Sequence, residues 1–238
     1  MLVSVLSKSK IDGIKVIAFD ADDTLWVNET FFREAEKEFA NMLAEYAQED
    51  EVYRVLYKVE MANMPIYGYG IKGFMLSLIE TANVISGYRV TPQNITAILD
   101  LGKEMLNKPV DLLDGVEQVL KRLSGQYRLI VATKGDLLDQ ERKLNKSGLL
   151  QYFHHIEVMS DKNPQSYTAL LKHLDIEPNE LLMIGNSLKS DILPVLEIGA
   201  WGIHVPFHTT WHHEEVEQEI KSEQFVEVEK LADALAYL

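Results

Sequence analysis

Four short apolar runs in this chain are each followed by residues that bind metals or phosphate. KVIAFD at 15–20 opens into Asp20-Ala21-Asp22-Asp23-Thr24, and RLIVAT at 128–133 ends in Thr133 before Lys134-Gly135-Asp136. HIEVMS at 155–160 is followed by Asp161-Lys162, and LLMIGN at 181–186 by Ser187, Ser190 and Asp191. Acids, small hydroxyls and lysines in these places describe a site for a hard divalent cation and a phosphate. Mg²⁺ prefers about six oxygens and is usually held by one or two carboxylates together with substrate phosphate oxygens. Asp20 and Asp191 are placed to supply the carboxylates. A phosphate monoester is an anion, so a carboxylate nucleophile reaches it only where metal, cation and hydrogen-bond donors screen the charge. Lys162, the Thr133 hydroxyl and the backbone N–H groups after Asp20 are the candidates for that task. Two Asp residues separated by one position can divide labour, one attacking phosphorus and the other serving the leaving oxygen and then water.

Such residues work only if the chain brings them together, and the apolar pattern predicts how. KVIAFD reads as a strand buried on both faces. From about Glu29 to Leu106 the period is helical: Phe31, Phe32, Ala35, Phe39, Met42 and Leu43, then Val52 to Val59, then Ile71 to Ala82. A fourth helix opens at Thr91-Pro92, an N-cap followed by Pro at the first helical position. After Pro109, helix-like and strand-like segments alternate: 115–124, 128–133, 137–147, 155–160, 164–174, 181–186, 190–198 and 201–205. That alternation predicts an α/β fold with a parallel sheet and helices on both faces. The first strand belongs to the same sheet, so the expected organisation is a core of residues 1–27 and 107–238 carrying a four-helix cap over 28–106. In an open parallel sheet ligands bind beyond the carboxyl ends of the strands, where the four clusters lie. The tail from Val226 reads as an extended piece and an amphipathic helix.

At this point the residues resemble a known family. VIAFDADDTLW is similar to the first motif of the haloacid dehalogenase superfamily, and Thr133, Lys162 and GNSLKSD resemble its second, third and fourth motifs in the same order. The resemblance covers the whole core. It implies a Rossmann-like core in which Asp20 is a nucleophile that becomes an aspartyl-phosphate and Asp22 is the general acid/base. It further implies that Asp22 binds Mg²⁺ through its backbone carbonyl, that Thr133 and Lys162 hold the phosphoryl group, and that Asp191 binds Mg²⁺ directly or through water. Helical caps inserted after the first motif close over small substrates in this superfamily. Dehalogenating members carry no Asp at the position of Asp22, so its presence favours phosphoryl transfer. The fourth motif often begins Gly-Asp, whereas this chain has Gly185-Asn186; Asn186 is counted as a metal ligand, direct or through water.

The reaction expected is hydrolysis of a small phosphate monoester. A phosphomutase of the same superfamily and a non-catalytic phosphate-binding domain stand as alternatives. Lys134 is open between a surface lysine and a substrate contact. Tyr67-Gly68-Tyr69-Gly70-Ile71-Lys72-Gly73 is open between a helix-to-helix turn with positive φ and a specificity loop that brings Lys72 to a ligand. Phe31, Phe32 and Phe74 are expected in the helical core, Asp23 in a structural role. The histidines at 154, 155 and 173 are expected to be ordinary surface residues, and those at 208, 212 and 213 part of a polar connection.

Composition narrows the partners. With 23 Lys+Arg against 37 Asp+Glu the net charge is −14, which disfavours nucleic-acid polymers and anionic membranes as partners. Charges follow too soon after the apolar start for a secretory leader, and no stretch approaches a membrane span of about 20 apolar residues. A soluble cytoplasmic protein, monomer or homodimer, is expected. The absence of Cys removes thiol catalysis and leaves a carboxylate as the covalent nucleophile.

Overall fold

The computed structural model describes residues 10–216 and 219–238, so the expectation about the first residues lies outside the described part. Its elements follow the predicted alternation. A strand β1 (Val16–Phe19) is followed by four helices, α1 (Glu29–Met42), α2 (Glu49–Tyr67), α3 (Ile71–Ile85) and α4 (Pro92–Asn107). Then come α5 (Val116–Leu123), β2 (Arg128–Lys134), α6 (Leu137–Ser147), β3 (His155–Met159), α7 (Pro164–Leu174), β4 (Leu181–Gly185), α8 (Leu193–Glu197), β5 (Trp201–His204) and β6 (Phe225–Glu227).

The strands form one six-stranded sheet in the order β3-β2-β1-β4-β5-β6. β1 pairs in parallel with β2 and β4, β4 with β5 and β5 with β6. This is the doubly wound Rossmann-like order, whose direction of winding reverses between β1 and β4, and a crevice opens at such a reversal. β1 and β4 are buried throughout, as continuous apolar runs between two helix layers must be. Val16, Ala18, Ile130, Ala132, Leu181 and Met183 form one face of the sheet's core, packed with Tyr167, Leu170 and Leu171 of α7 and Val195 of α8.

The chain divides into two compact units, one of residues 1–27, 111–133 and 147–238 and a second of 28–110 and 134–146. The first is the sheet unit. Its two passages toward the helical insert lie side by side, since Val27 N–H donates to Asp111 C=O at 2.9 Å and Leu113 N–H to Leu25 C=O at 3.0 Å. Two boundaries differ from the expected ones. α4 runs on to Asn107, so the sheet unit resumes at Asp111. Residues 134–146 group with the helices because Lys72 pairs with Asp136 and Lys143 donates to Asn28 Oδ1 at 2.8 Å. Two helical expectations also change in kind. The segment expected as a helix over 190–198 begins with a π-helical turn at Leu188–Ile192, and the tail forms a 3₁₀ helix, Leu231–Tyr237.

The helical unit has its own core of Phe39, Leu43, Val52, Leu56, Phe74, Leu78 and Ile98. Phe32 packs against it, edge-on to Phe74 with ring centroids 5.1 Å apart. Phe31 instead lies half-buried beneath the Lys108 ammonium, 4.6 Å from its ring centroid, because a cation over an aromatic face offsets its exposure. Thr91 accepts from Asn94 N–H at 3.2 Å, the cap expected at the start of α4. At the α2–α3 turn Gly68 and Gly70 adopt φ of 73° and 109°, values that an L side chain rarely takes.

One polar cluster of this unit carries a pH signature. Arg33 pairs with Glu29 at 2.7 Å and Glu36 at 2.8 Å. Burial pushes the nearby Glu60 carboxyl up to about 8, and the charges of Glu36 and Glu29 add to that rise against the pull of Arg33. A carboxyl raised in the folded state contributes stability present below its unfolded value and lost as pH rises through the folded one. Glu60→Gln is therefore expected to match the wild type in urea unfolding near pH 4.5 and to exceed it at pH 8.5; equal midpoints at pH 8.5 would contradict the assignment.

Candidate functional site

The site grows from the ends of β1 and β4. Phe19 pairs with Ile184 and with Val131, and Asp20 N–H continues the ladder by donating to Ile184 C=O at 2.9 Å. Asp20 is therefore fixed by backbone at the middle of the sheet. The following residues turn at once: Leu25 N–H donates to Ala21 C=O at 2.8 Å and Asp23 N–H to Trp26 C=O at 2.7 Å, with Asp23 in the left-handed region at φ 62°. An aspartate tolerates that conformation better than most residues. The turn returns Thr24 and Trp26 to the acids before them. Thr24 Oγ1 donates to Asp20 Oδ2 at 3.2 Å, and the buried Trp26 indole Nε1–H donates to Asp22 Oδ1 at 2.7 Å.

Lys162 follows β3, and its side chain is 1% exposed. Its ammonium donates to Asp20 Oδ1 at 2.5 Å and to Asp191 Oδ1 at 2.6 Å. Asp191 comes from the π-helical turn after β4, and its other oxygen accepts Ser187 N–H at 2.9 Å. Such a turn redirects one side chain out of the regular helical stagger. Gly185 is required beside it, because a Cβ there would collide with the Asp191 carboxylate. Thr133 is buried at the end of β2, two residues past the Phe19–Val131 pair.

Burial pushes the Asp20 carboxyl up to about 7; the Lys162 ammonium opposes the rise and the charge of Asp191 adds to it. Burial disfavours the Lys162 ammonium too, but the Asp191 and Asp20 carboxylates outweigh that and hold its pKa above the ordinary lysine range. Asp20 and Asp191 thus share one ammonium, with the charge of Asp22 acting on Asp20 besides. Three carboxylates against one cation, all with oxygen donors and largely out of water, fit a hard divalent ion, which would relieve the charge that burial opposes.

Asn186, expected as a metal ligand, has its side chain among oxygens of the first loop. Its amide faces Asp22 C=O at 3.2 Å, Thr24 Oγ1 at 3.2 Å and Asp20 Oδ2 at 3.3 Å, and with the nitrogen turned toward them it donates to all three. The side chain so oriented stabilises the oxygens of the first loop. Its backbone C=O accepts from His204 Nε2 at 3.0 Å, and His204 Nδ1 lies 2.8 Å from Glu227 Oε2.

Lys134 and Lys72 belong to the helical unit by their contacts. Lys134 Nζ lies 4.1 Å above the Tyr69 ring, and Lys72 Nζ makes two 3.0 Å bonds to the Asp136 carboxylate. Asp20, Asp191 and Lys162 come together through the bonds above, and Asp22 follows Asp20 on the same loop.

Thr24, Trp26 and Glu214 are the residues that sequence reasoning missed. Glu214 accepts from the Ser187 hydroxyl and, at 2.6 Å, from Ser190 Oγ, bracing the π-helical turn. Thr24 and Trp26 stood within the first motif, and their i+4 spacing from Asp20 and Asp22 was the available signal. Nothing in the sequence linked Glu214 to residues more than twenty positions away.

A model of the family described as haloacid dehalogenase-like hydrolase matches residues 14–199. The chain belongs to that family. Among relatives of this hydrolase, a haloacid dehalogenase-like family hydrolase from Xanthomonas campestris has 36% identity and a TM-score of 0.82, over 94% of this chain and 95% of that one. A glyceraldehyde 3-phosphate phosphatase of Methanopyrus kandleri is 24% identical over 75% of this chain and 78% of its own length. Another so named, from Pyrococcus abyssi, is 26% identical over 78% and 79%.

The buried ion pairs of the hydrolase carry a stability prediction. Removing one partner of such a pair leaves uncompensated charge and costs about 3–5 kcal/mol. Lys162→Met should lose roughly that much in urea unfolding of the metal-free protein at pH 7.5, with a smaller deficit at pH 5, where protonation of the stranded Asp20 carboxyl relieves it. An unchanged midpoint at pH 7.5 would contradict this.

Proposed function

We propose that this hydrolase is a Mg²⁺-dependent phosphatase that cleaves a small phosphate monoester of the cytoplasm through a phosphorylated Asp20. The observation that carries the reading is the Asp20–Lys162–Asp191 arrangement, with Asp22 two residues on and held by the Trp26 indole. In the first step an Asp20 carboxylate oxygen forms a bond to phosphorus, the bond to the ester oxygen breaks, and that oxygen takes the Asp22 carboxyl proton. In the second, Asp22 as carboxylate takes a proton from water, whose oxygen bonds to phosphorus as the Asp20–phosphorus bond breaks. Lys162 and Thr133 hold the phosphoryl oxygens in both steps. Asp20, Asp191 and the Asp22 carbonyl are the residues to hold Mg²⁺, which supplies charge neutralisation of the phosphoryl group when bound. Asn186, whose amide lies 3.2 Å from the Asp22 carbonyl and 3.3 Å from Asp20 Oδ2, is a further residue to hold the ion, directly or through water. Lys134 and Lys72 are assigned to contacts with the rest of the substrate.

Hydrolysis is favoured over halide displacement by Asp22, since a halide leaves without a proton. The names of the two curated relatives put triose phosphates first in a substrate panel, beside other sugar phosphates, nucleoside monophosphates and phosphoglycolate-like acids. Phosphate release over that panel, with Mg²⁺ and with chelator, tests the reading. Accumulation of an isomer without free phosphate would replace it with a mutase, and no turnover with any ester would remove it.

Asp20→Asn should lower turnover of an aryl phosphate by at least about 10³-fold, the scale on which a lost covalent nucleophile acts. Asp22→Ala should slow leaving-group departure more for alkyl than for activated aryl esters; equal losses would remove its role as acid.

Trp26→Phe keeps an aromatic ring and removes the indole donor to Asp22. It should lower kcat by roughly tenfold, the effect of about 1.4 kcal/mol, with KM little changed. A rise in KM at constant kcat would assign Trp26 to binding instead.

A further inference from the structure

A second group of ligating side chains lies on β3, the edge strand of the sheet, and on α7. His155, Glu157 and Met159 alternate onto one face of β3. Met159 packs with Tyr167, Leu170, Leu171 and Leu174, so that face is the one α7 covers. His173, in the last turn of α7, joins His155 and Glu157, and one ligand atom of each residue lies within 4.8 Å of the others. Glu157 Oε2 is 3.4 Å from His173 Nδ1 and 3.7 Å from His155 Nε2. Ligands at about 2.0–2.2 Å from a tetrahedral zinc ion are separated from one another by about 3.3–3.6 Å.

A charged surface pair of Glu157 with the two histidines would explain proximity alone. It does not account for His155. Its Nε2 is buried and makes no hydrogen bond, a costly state for a ring nitrogen. Its other nitrogen lies 2.9 Å from His154 Nδ1, so one hydrogen bond fixes the ring while Nε2 stays directed at Glu157. Metal-bound histidines are commonly held in this way through the second nitrogen. The Arg128 guanidinium stands near and is anchored away from the group by donating to Leu174 C=O at 2.7 Å.

We propose that His155, Glu157 and His173 form a zinc-class site, separate from the Asp20 centre, with its fourth position open to water. Two imidazoles and one carboxylate favour Zn²⁺ or a neighbouring transition ion over Mg²⁺. The ion fastens the start of β3 to the end of α7. The other ends of the same two elements flank Lys162, so the site braces the segment that delivers the ammonium.

The test is calorimetric titration of the chelator-treated full chain with Zn²⁺ in excess Mg²⁺, together with thermal unfolding. One equivalent should bind, and Zn²⁺ should raise Tm. His173→Ala, at an exposed position, and Glu157→Gln should each weaken binding by about tenfold or more, the loss that even outer partners of a metal site can cause, and should abolish the zinc-dependent rise in Tm. A His212→Ala/His213→Ala variant should bind as the wild type does. Absence of zinc binding by the wild type would overturn the proposal, as would wild-type affinity in both His173→Ala and Glu157→Gln.

Discussion

The Lys162 ammonium between Asp20 and Asp191 is the constraint around which the sheet unit is arranged. Charges taken out of water are tolerated only when paired in good geometry. Here one cation is shared by two carboxylates at 2.5 and 2.6 Å while a third acid, Asp22, follows two residues after the first. The pairing holds together elements far apart in the chain: the end of β1, the loop after β3 and the π-helical turn after β4. Each must therefore end at one level. The β1–β4 register, continued by Asp20 N–H onto Ile184 C=O, provides that level. A slip of one residue would turn Asp20 to the other face of the sheet and strand Lys162.

Local features of the site follow from the same demand. The first loop must bring donors back to Asp20 and Asp22 within a few residues, which explains the left-handed Asp23 and the return of Thr24 and Trp26. The turn after β4 must aim Asp191 inward past Gly185, where a side chain would collide. Its irregular winding is braced on one side by Glu214 through Ser187 and Ser190, and the preceding Asn186 carbonyl is held by His204. The acidic excess has a related meaning at this scale. The net charge of −14 disfavours polyanions on average, yet the proposed substrate is itself an anion. The sign that it meets is decided by Lys162 and by a metal.

Much of this was legible in the residues because buried strands and their loops are written locally. The apolar runs mark the strands and the acids after them mark a candidate site, and the family match over residues 14–199 accords with the motifs that suggested it. What stayed hidden depended on contacts between distant segments. Asn186 reads as a metal ligand by position in a motif, but its approach to the Asp22 carbonyl, Thr24 and Asp20 is visible only in space. The brace of Glu214 and the grouping of 134–146 with the helices through Lys72 and Asp136 have no local pattern to reveal them. The tail was amphipathic in pattern, but apolar period alone does not separate a 3₁₀ helix from an α-helix over seven residues.

The histidines show the same limit from the other side. Read singly, His155 at a strand start and His173 near a helix end carry no signal, since each is common on a surface. Their significance arises because α7 reverses direction and returns its last turn to the first residues of β3. That return is required for right-handed crossover packing whatever the residues are, so the fold places any side chain at position 173 beside position 155. The substitution of ligating residues at both, with Glu157 between them and a buried unbonded nitrogen on His155, is what packing does not explain. A core position would satisfy it with an apolar side chain, and a surface pair would leave both rings in water. A ring nitrogen without a hydrogen bond, with an acid and a second imidazole around it, is the arrangement that a bound ion would complete.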